Sequence, residues 1–106
     1  MTIIGDIKDK NALIVDDLIG TGGTLCKSAE ILKQKGAKQI YACATHGVFS
    51  KDAKKIIKDS PLEKVIVTDS IPQKSEGKIE VISLVDLFAN VIYRISHGES
   101  ISELFK

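Results

Sequence analysis

The sequence predicts an α/β protein in which a mostly parallel sheet is flanked by helices. Residues 12–15, 39–44 and 65–67 form largely apolar segments that are too short for helices and are typical of buried strands. Between the first two, residues 24–35 carry apolar side chains at helical spacing. A strand, a helix and a second strand in this order predict parallel strands joined by a right-handed crossover.

The remaining elements continue this alternation. Ser50 is expected to cap a second helix, over residues 51–58, whose lysines form a solvated face. Residues 79–82 predict a short strand, and the charged Glu80 within it indicates an edge of the sheet. Residues 84–95 have the clearest helical periodicity in the chain, so a third helix is predicted there.

Length and composition predict one soluble globular domain. The chain has 106 residues, 43% hydrophobic and 27% charged, which suits a single modest core. Its net charge of +1 gives no reason to expect nucleic acid or an anionic membrane as partner. Cys26 and Cys43 form no C-x-x-C motif and are expected to be reduced core residues. The chain shows neither a secretory signal pattern nor an apolar run of about 18 residues, so we expect a cytoplasmic protein without a membrane span.

The segment with the most chemical information joins the first predicted strand to the first helix. Asp16 and Asp17 close the strand, and the small residues of segment 20–24 precede the helix. A glycine turn at a helix N-terminus places backbone N–H groups around a phosphate. Gly23 stands where a Walker loop needs lysine, and Leu25 stands where a dinucleotide fingerprint needs glycine or alanine.

Two carboxylates beside a phosphate loop narrow the class of ligand. Carboxylates accept hydrogen bonds from sugar hydroxyls, or hold Mg²⁺ against phosphate oxygens. A solvated acid pair beside a glycine-rich turn is the alternative, and it accounts poorly for the complete string. The segment therefore predicts a site for a phosphorylated sugar.

Four segments together resemble a known family. Residues 15–24, Val-Asp-Asp-Leu-Ile-Gly-Thr-Gly-Gly-Thr, resemble the ribose-phosphate binding motif of the type I phosphoribosyltransferase fold. Residues 44–50, 67–72 and 94–102 resemble ribose-phosphate pyrophosphokinase, in order and at similar spacing. The likeness covers nearly the whole chain but only the C-terminal part of that enzyme. It implies a three-layer fold, of which residues 1–106 form a single, truncated domain.

The resemblance implies ribose 5-phosphate as the ligand. In the family the 5-phosphate lies in the glycine loop and the 2- and 3-hydroxyls contact the acids. Of the two acids, Asp16 is the stronger candidate, because consecutive strand residues point to opposite sides of a sheet. The residues that the resemblance assigns to substrate binding are Asp16, Asp17, Gly20, Thr21, Gly22, Gly23 and Thr24.

The resemblance also implies a reaction. In the family, the C1 hydroxyl of ribose 5-phosphate attacks the β-phosphorus of ATP, which is bound with Mg²⁺, and pyrophosphate is transferred. Gly20 stands where the family usually has a third acid. The family's N-terminal domain and basic catalytic loop have no counterpart in this sequence. We therefore expect no catalytic residue here and no turnover by the chain alone, with the missing domain or homologous subunits as partners in a homo-oligomer.

Two further assignments depend on the resemblance. Ser100, Ser102 and Phe105 match part of a regulatory site that binds phosphate and ADP between subunits, although a helix cap with a packed phenylalanine explains them equally well. His46 lies at the end of the second predicted strand, where a ligand contact, a proton shuttle and a structural hydrogen bond are all consistent with its position.

Two other functions are compatible with the same loop. A purine or pyrimidine phosphoribosyltransferase uses such a loop to break the bond between C1 and pyrophosphate without ATP, but segments 44–50 and 94–102 argue against it. A non-catalytic module that binds ribose phosphate is consistent with the missing domain and with Gly20.

Overall fold

A computed structural model of the protein describes residues 7–98 as a four-stranded sheet with three helices. All strands are parallel, and their order in the sheet is their order in the sequence. The elements are β1 (Ala12–Ile19), α1 (Gly23–Gln34), β2 (Ile40–Gly47), α2 (Ala53–Lys58), β3 (Leu62–Thr68), β4 (Ile79–Ile82) and α3 (Val85–Ser96).

The predicted α/β class and parallel sheet are confirmed. β1 and β2 run longer than expected, so Asp16 and Asp17 lie within β1 and His46 lies within β2. β4 is at one edge of the sheet, as Glu80 indicated, and β1 is at the other edge. Residues 1–6 lie outside the described part of the chain, as do the regulatory residues predicted at its other end, Ser100, Ser102 and Phe105.

The hydrophobic core lies on one face of the sheet. Alternate strand residues, among them Ile40, Val65 and Val67, are almost fully buried there, together with Ala29 of α1 and Ala53 of α2. Both helices cover the same face because consecutive right-handed crossovers that advance in one direction place their helices on one side. α1 and α2 form the second layer of the structure.

The opposite face of the sheet is covered by neither α1 nor α2. Leu13 and Val15 of β1 point to that face and are 60% and 69% exposed. Cys43 of β2 also lies on it and is half-buried, whereas Cys26 is buried on the helical side, and both are free thiols. The described residues make two layers, because neither α1 nor α2 lies on this face.

The third helix is confirmed, but it does not join the core. Val85, Phe88, Ile92 and Ile95 follow one another along one face of α3 and are each more than half exposed. None of the residues of α3 is buried against other described parts of the chain. The amphipathic pattern of α3 thus predicts that the segment is helical, but it does not identify the surface on which the apolar face of α3 packs.

The start of α2 differs from its prediction. The helix begins at Ala53, with Asp52 as its N-cap, and no cap side chain bonds to it. Ser50 contributes its backbone carbonyl, which accepts the Ala53 N–H at 3.2 Å, instead of its hydroxyl. Within residues 7–98, no helix has both the length and the apolar character that a membrane span requires.

Candidate functional site

The glycine loop lies where β1 ends and α1 begins. Gly22 is the N-cap of α1 and has φ of 81°, a left-handed conformation that glycine adopts without steric cost. The first helical hydrogen bond runs from the Cys26 N–H to the Gly22 carbonyl, at 2.9 Å. The amides ahead of Cys26 therefore have no partner within the helix, which is the arrangement that binds an anion.

Threonine side chains border these amides. Thr21 and Thr24 are both exposed at the loop, and the Gly23 N–H lies 3.5 Å from the Thr21 hydroxyl oxygen. Each hydroxyl adds a donor beside the backbone N–H groups. The loop thus combines the positive end of a helix dipole with side-chain donors, a combination suited to a phosphate group.

Asp16 and the loop line one cavity. Its volume is 340 Å³, and Asp16 shares its wall with Thr21, Gly22 and Thr24. A neighbouring cavity of 440 Å³ is lined by Asp16, Thr24 and also Ser28. Ser28 was not among the candidate residues, although its position four residues after Thr24 on a helix places both on one face.

The Asp16 carboxylate is stabilised in its charged form. One of its oxygens accepts the Asp17 N–H at 2.8 Å, and this hydrogen bond lowers the pKa of Asp16 below its ordinary value. Asp17 lines neither cavity, as expected for the next residue of a strand. The structure thus brings one of the two acids to the loop.

Gly20 lies in the wall of the 340 Å³ cavity and leaves space beside it. A Cβ atom at this position would meet no atom within 4 Å, and the backbone is not left-handed. The position therefore has space for a side chain such as that of aspartate.

His46 is tied to the loop between β3 and β4. Its Nδ1 lies 2.7 Å from the Ser70 hydroxyl oxygen, and that hydroxyl lies 3.2 Å from the Thr45 carbonyl. Either a protonated Nδ1 donates to Ser70 while Ser70 donates to Thr45, or Ser70 donates to an unprotonated Nδ1 while Thr68 satisfies the Thr45 carbonyl. In both arrangements His46 has a structural hydrogen bond to the loop after β3.

The loop after β3 covers the end of β2 and the start of α3. The Thr68 hydroxyl donates to the Thr45 carbonyl at 2.7 Å, and Gln73 donates to the Gly47 carbonyl at 2.8 Å. The Asp69 carboxylate accepts the Leu84 N–H at 2.8 Å, directly before α3. Much of segment 67–72 thus has a structural role that its position at the strand end did not reveal.

Together these features define a class: a parallel α/β domain with an anion-binding glycine loop and an adjacent carboxylate at the carboxyl ends of its strands. A model of the family described as phosphoribosyl synthetase-associated domain matches residues 1–106. The chain belongs to this family.

Individual relatives support this assignment. The chain is 52% identical over 109 residues to the ribose-phosphate pyrophosphokinase of Vibrio cholerae, and 53% identical over 108 residues to that of Caldanaerobacter subterraneus. These matches cover 99% of this chain but only 35% and 34% of the relatives. The chain therefore spans about a third of the length of these relatives.

A solved structure shows the same fold. The crystal structure of phosphoribosylpyrophosphate synthetase from Mycobacterium smegmatis matches with a TM-score of 0.82 and 34% sequence identity. The match covers 90% of this chain and 33% of that one. Which third of such an enzyme the chain corresponds to stays a prediction from the sequence, as do the roles of the loop residues.

Proposed function

We propose that this chain is the ribose 5-phosphate-binding part of a ribose-phosphate pyrophosphokinase. The observation that carries the proposal is the shared cavity, in which Asp16 faces the glycine loop across a volume of 340 Å³. That volume lies within the range of about 300–1,000 Å³ that is usual for small-molecule sites. A sugar phosphate has a phosphate group for the glycine loop and hydroxyl groups for Asp16.

The ligand is oriented by the two ends of the site. The phosphate is bound by the free amides at the start of α1 and by the hydroxyls of Thr21 and Thr24. The sugar hydroxyls donate to Asp16, which like any exposed aspartate is ionised at neutral pH and can only accept, and the Asp17 N–H lowers the pKa of Asp16 further. Gly22 and Gly23 let the backbone approach the phosphate closely. Asp17 and Gly20 belong to the same segment but contribute less in this chain.

The proposed whole enzyme converts ATP and ribose 5-phosphate to AMP and 5-phosphoribosyl 1-diphosphate. The C1 oxygen of the sugar forms a bond to the β-phosphorus of ATP, the bond between the α-phosphoryl oxygen and the β-phosphorus breaks, and AMP leaves. In this chain the residues of the loop bind and orient the sugar, so their contribution is positioning.

In this proposal Mg²⁺ and ATP are bound by the whole enzyme and not by this chain alone. Among the described residues, no group of three or more histidine, cysteine or acidic side chains could hold a metal ion. The side chains of Asp16 and Asp17 point to opposite faces of the sheet. Gly20 has no side chain that could act as a third metal ligand. The residues present do not fit a self-contained Mg²⁺ site, and no step here depends on one.

The proposal extends to the setting of the enzyme. We assign it to the cytoplasm and to a homo-oligomer in which the chain meets the remainder of such an enzyme, or homologous subunits. Regulation through Ser100, Ser102 and Phe105 also stays part of the proposal. A stand-alone ribose-phosphate-binding module is the second candidate function, because the described residues contain a sugar-phosphate cavity but no organised cluster of cations beside it.

Chemical-shift mapping tests the binding site. We expect ribose 5-phosphate to shift the amide resonances of Thr21, Gly22, Gly23 and Thr24, because these groups surround the phosphate. The titration is followed in two-dimensional NMR spectra of the isotope-labelled chain. Ribose without phosphate serves as the control and is expected to leave the four amides unchanged. Saturating ribose 5-phosphate without any shift in this loop would contradict the proposed site.

Reconstitution tests the activity. The chain alone is expected to form no detectable 5-phosphoribosyl diphosphate from ATP, Mg²⁺ and ribose 5-phosphate, because no lysine or arginine lines the two cavities beside the glycine loop to stabilise a transferring phosphoryl group. Fusion to the missing portion of a relative such as the Vibrio cholerae enzyme is expected to restore turnover. In that fusion Gly20→Asp is expected to raise the rate, since the position has space for the side chain.

The outcome also separates the two candidate functions. A fusion that folds and binds ribose 5-phosphate but shows no turnover, with or without Gly20→Asp, favours the non-catalytic module. Turnover by the isolated chain that is lost in Asp16→Asn contradicts the requirement for a second domain.

A further inference from the structure

A second cavity lies away from the glycine loop, between α2 and the turn that leads into β4. Its volume is 730 Å³, larger than that of either cavity beside Asp16. Most of its wall is apolar, and because the neighbouring core residues Ile57 and Ile79 are only 1% and 4% exposed, this surface comes mainly from the methylene stems of the lysines. We refer to this cavity as the α2–β4 groove.

Positive charge is concentrated around the α2–β4 groove. Four lysines, Lys54, Lys55, Lys58 and Lys78, line it against a single acid, Glu76. The whole chain has a net charge of only +1, so the groove is far more basic than the average surface. The sequence alone indicated a solvated lysine face on α2, and it did not reveal that Lys78 joins this face from the β4 turn.

Two of the lysines are held by partners, and two are not. Lys54 forms an ion pair with Glu76 at 3.0 Å, and Lys78 donates to the Ser60 carbonyl at 2.8 Å. Lys55 and Lys58 form no ion pair within the part of the chain described here. They lie three residues apart on one helix, so their like charges are neighbours. An anion between them would relieve this repulsion.

We propose that the α2–β4 groove binds a small aromatic phosphate. The phosphate is recognised by the ammonium groups of Lys55 and Lys58, and the planar apolar part lies against the methylene stems of the lysines. This site is separate from the loop proposed for ribose 5-phosphate, and it takes a different class of ligand because its wall is apolar.

Phenyl phosphate and methyl phosphate together test both parts of this proposal. We expect phenyl phosphate to shift the amide resonances of residues 54–58 and 76–79 and to bind at least roughly three-fold more tightly than methyl phosphate, because the ring buries apolar surface. Equal affinities of the two compounds would show charge attraction alone and would overturn the proposal. Shifts confined to residues 20–24 would overturn it as well.

A pair of charge-matched variants tests the role of the lysines. Lys55→Gln combined with Lys58→Gln is expected to weaken phenyl phosphate binding roughly five-fold or more. Lys35→Gln combined with Lys38→Gln removes the same charge from two exposed positions that follow α1 and do not line the groove, and is expected to change the affinity by less than about two-fold. Equal losses of phenyl phosphate affinity in both double variants would overturn the assignment. If ribose 5-phosphate still shifts the Thr21 amide resonance in both variants, the two sites are independent.

Discussion

Asp16→Asn is expected to weaken ribose 5-phosphate binding by about 1.5–3 kcal/mol, or roughly 10- to 150-fold. The substitution keeps the shape of the side chain but replaces a charged acceptor that faces the glycine loop across the shared cavity. Inorganic phosphate has no sugar hydroxyls, so its affinity is expected to hold or to rise. Titration calorimetry with both ligands measures the difference.

Asp17→Asn is the matched control for this experiment. It removes the same charge one residue along β1, but Asp17 lines neither cavity beside the loop. Its effect on ribose 5-phosphate is expected to be clearly smaller than that of Asp16→Asn. A larger loss at Asp17, or equal losses of both ligands in Asp16→Asn, would be incompatible with a sugar-hydroxyl role for Asp16.

Gly47→Ala is expected to lower the free energy of unfolding by about 1–3 kcal/mol. A Cβ atom on Gly47 would lie 2.5 Å from Cε2 and 2.9 Å from Cζ of Phe49, and 3.0 Å from Cγ1 of Val67. Phe49 and Val67 are both buried, so neither side chain has space to move away. Thermal unfolding should show a fall in Tm of about 4–8 °C for each kcal/mol.

Two comparisons isolate this steric effect. Gly20→Ala adds the same methyl group where nothing lies within 4 Å, so its Tm is expected to stay close to that of the parent chain. Phe49→Leu removes the ring atoms that Cβ would meet, and Gly47→Ala is therefore expected to cost less in that background. Equal costs of Gly47→Ala with and without the ring would show that Phe49 is not the obstacle.

Local patterns predicted the elements well because each pattern records which face is buried. The spacing of Leu25, Ala29 and Leu32 predicted α1 to within one residue at each end, and all three are buried. Strand ends were less predictable, because polar residues such as Asp16 and His46 continue β1 and β2 without adding to the core. A hydrophobic pattern ends before the backbone pairing does.

The element that covers the second face of the sheet could not be predicted from the residue pattern. The same apolar pattern arises whether or not another element packs on that face. Leu13 and Val15 alternate with buried residues as in a sheet covered on both faces, yet both are more than half exposed here. Phe88 and Ile92 on α3 give the same result. Periodicity identifies which face of an element is suited to burial. Which other element covers that face depends on the tertiary structure.

The candidate site was partly predictable from single residues. Glycine at position 22 indicated a tight turn, and its left-handed φ agrees with that reading. Asp69 lies in segment 67–72, one of the segments that carry the resemblance, but its carboxylate accepts the Leu84 amide, which precedes α3. An acid after a strand has the same sequence signature in both roles, and only the position of Leu84 in the structure distinguishes them.

The order of the strands has a consequence for how the chain folds. Each of the four strands pairs with the next one along the sequence, so no pairing in the sheet skips a strand. Sequential pairing closes shorter segments than pairing with more distant strands would, so it favours faster folding than other strand orders of the same parallel sheet. We therefore expect the sheet to grow in one direction, from β1 towards β4, in the order in which a ribosome releases these segments.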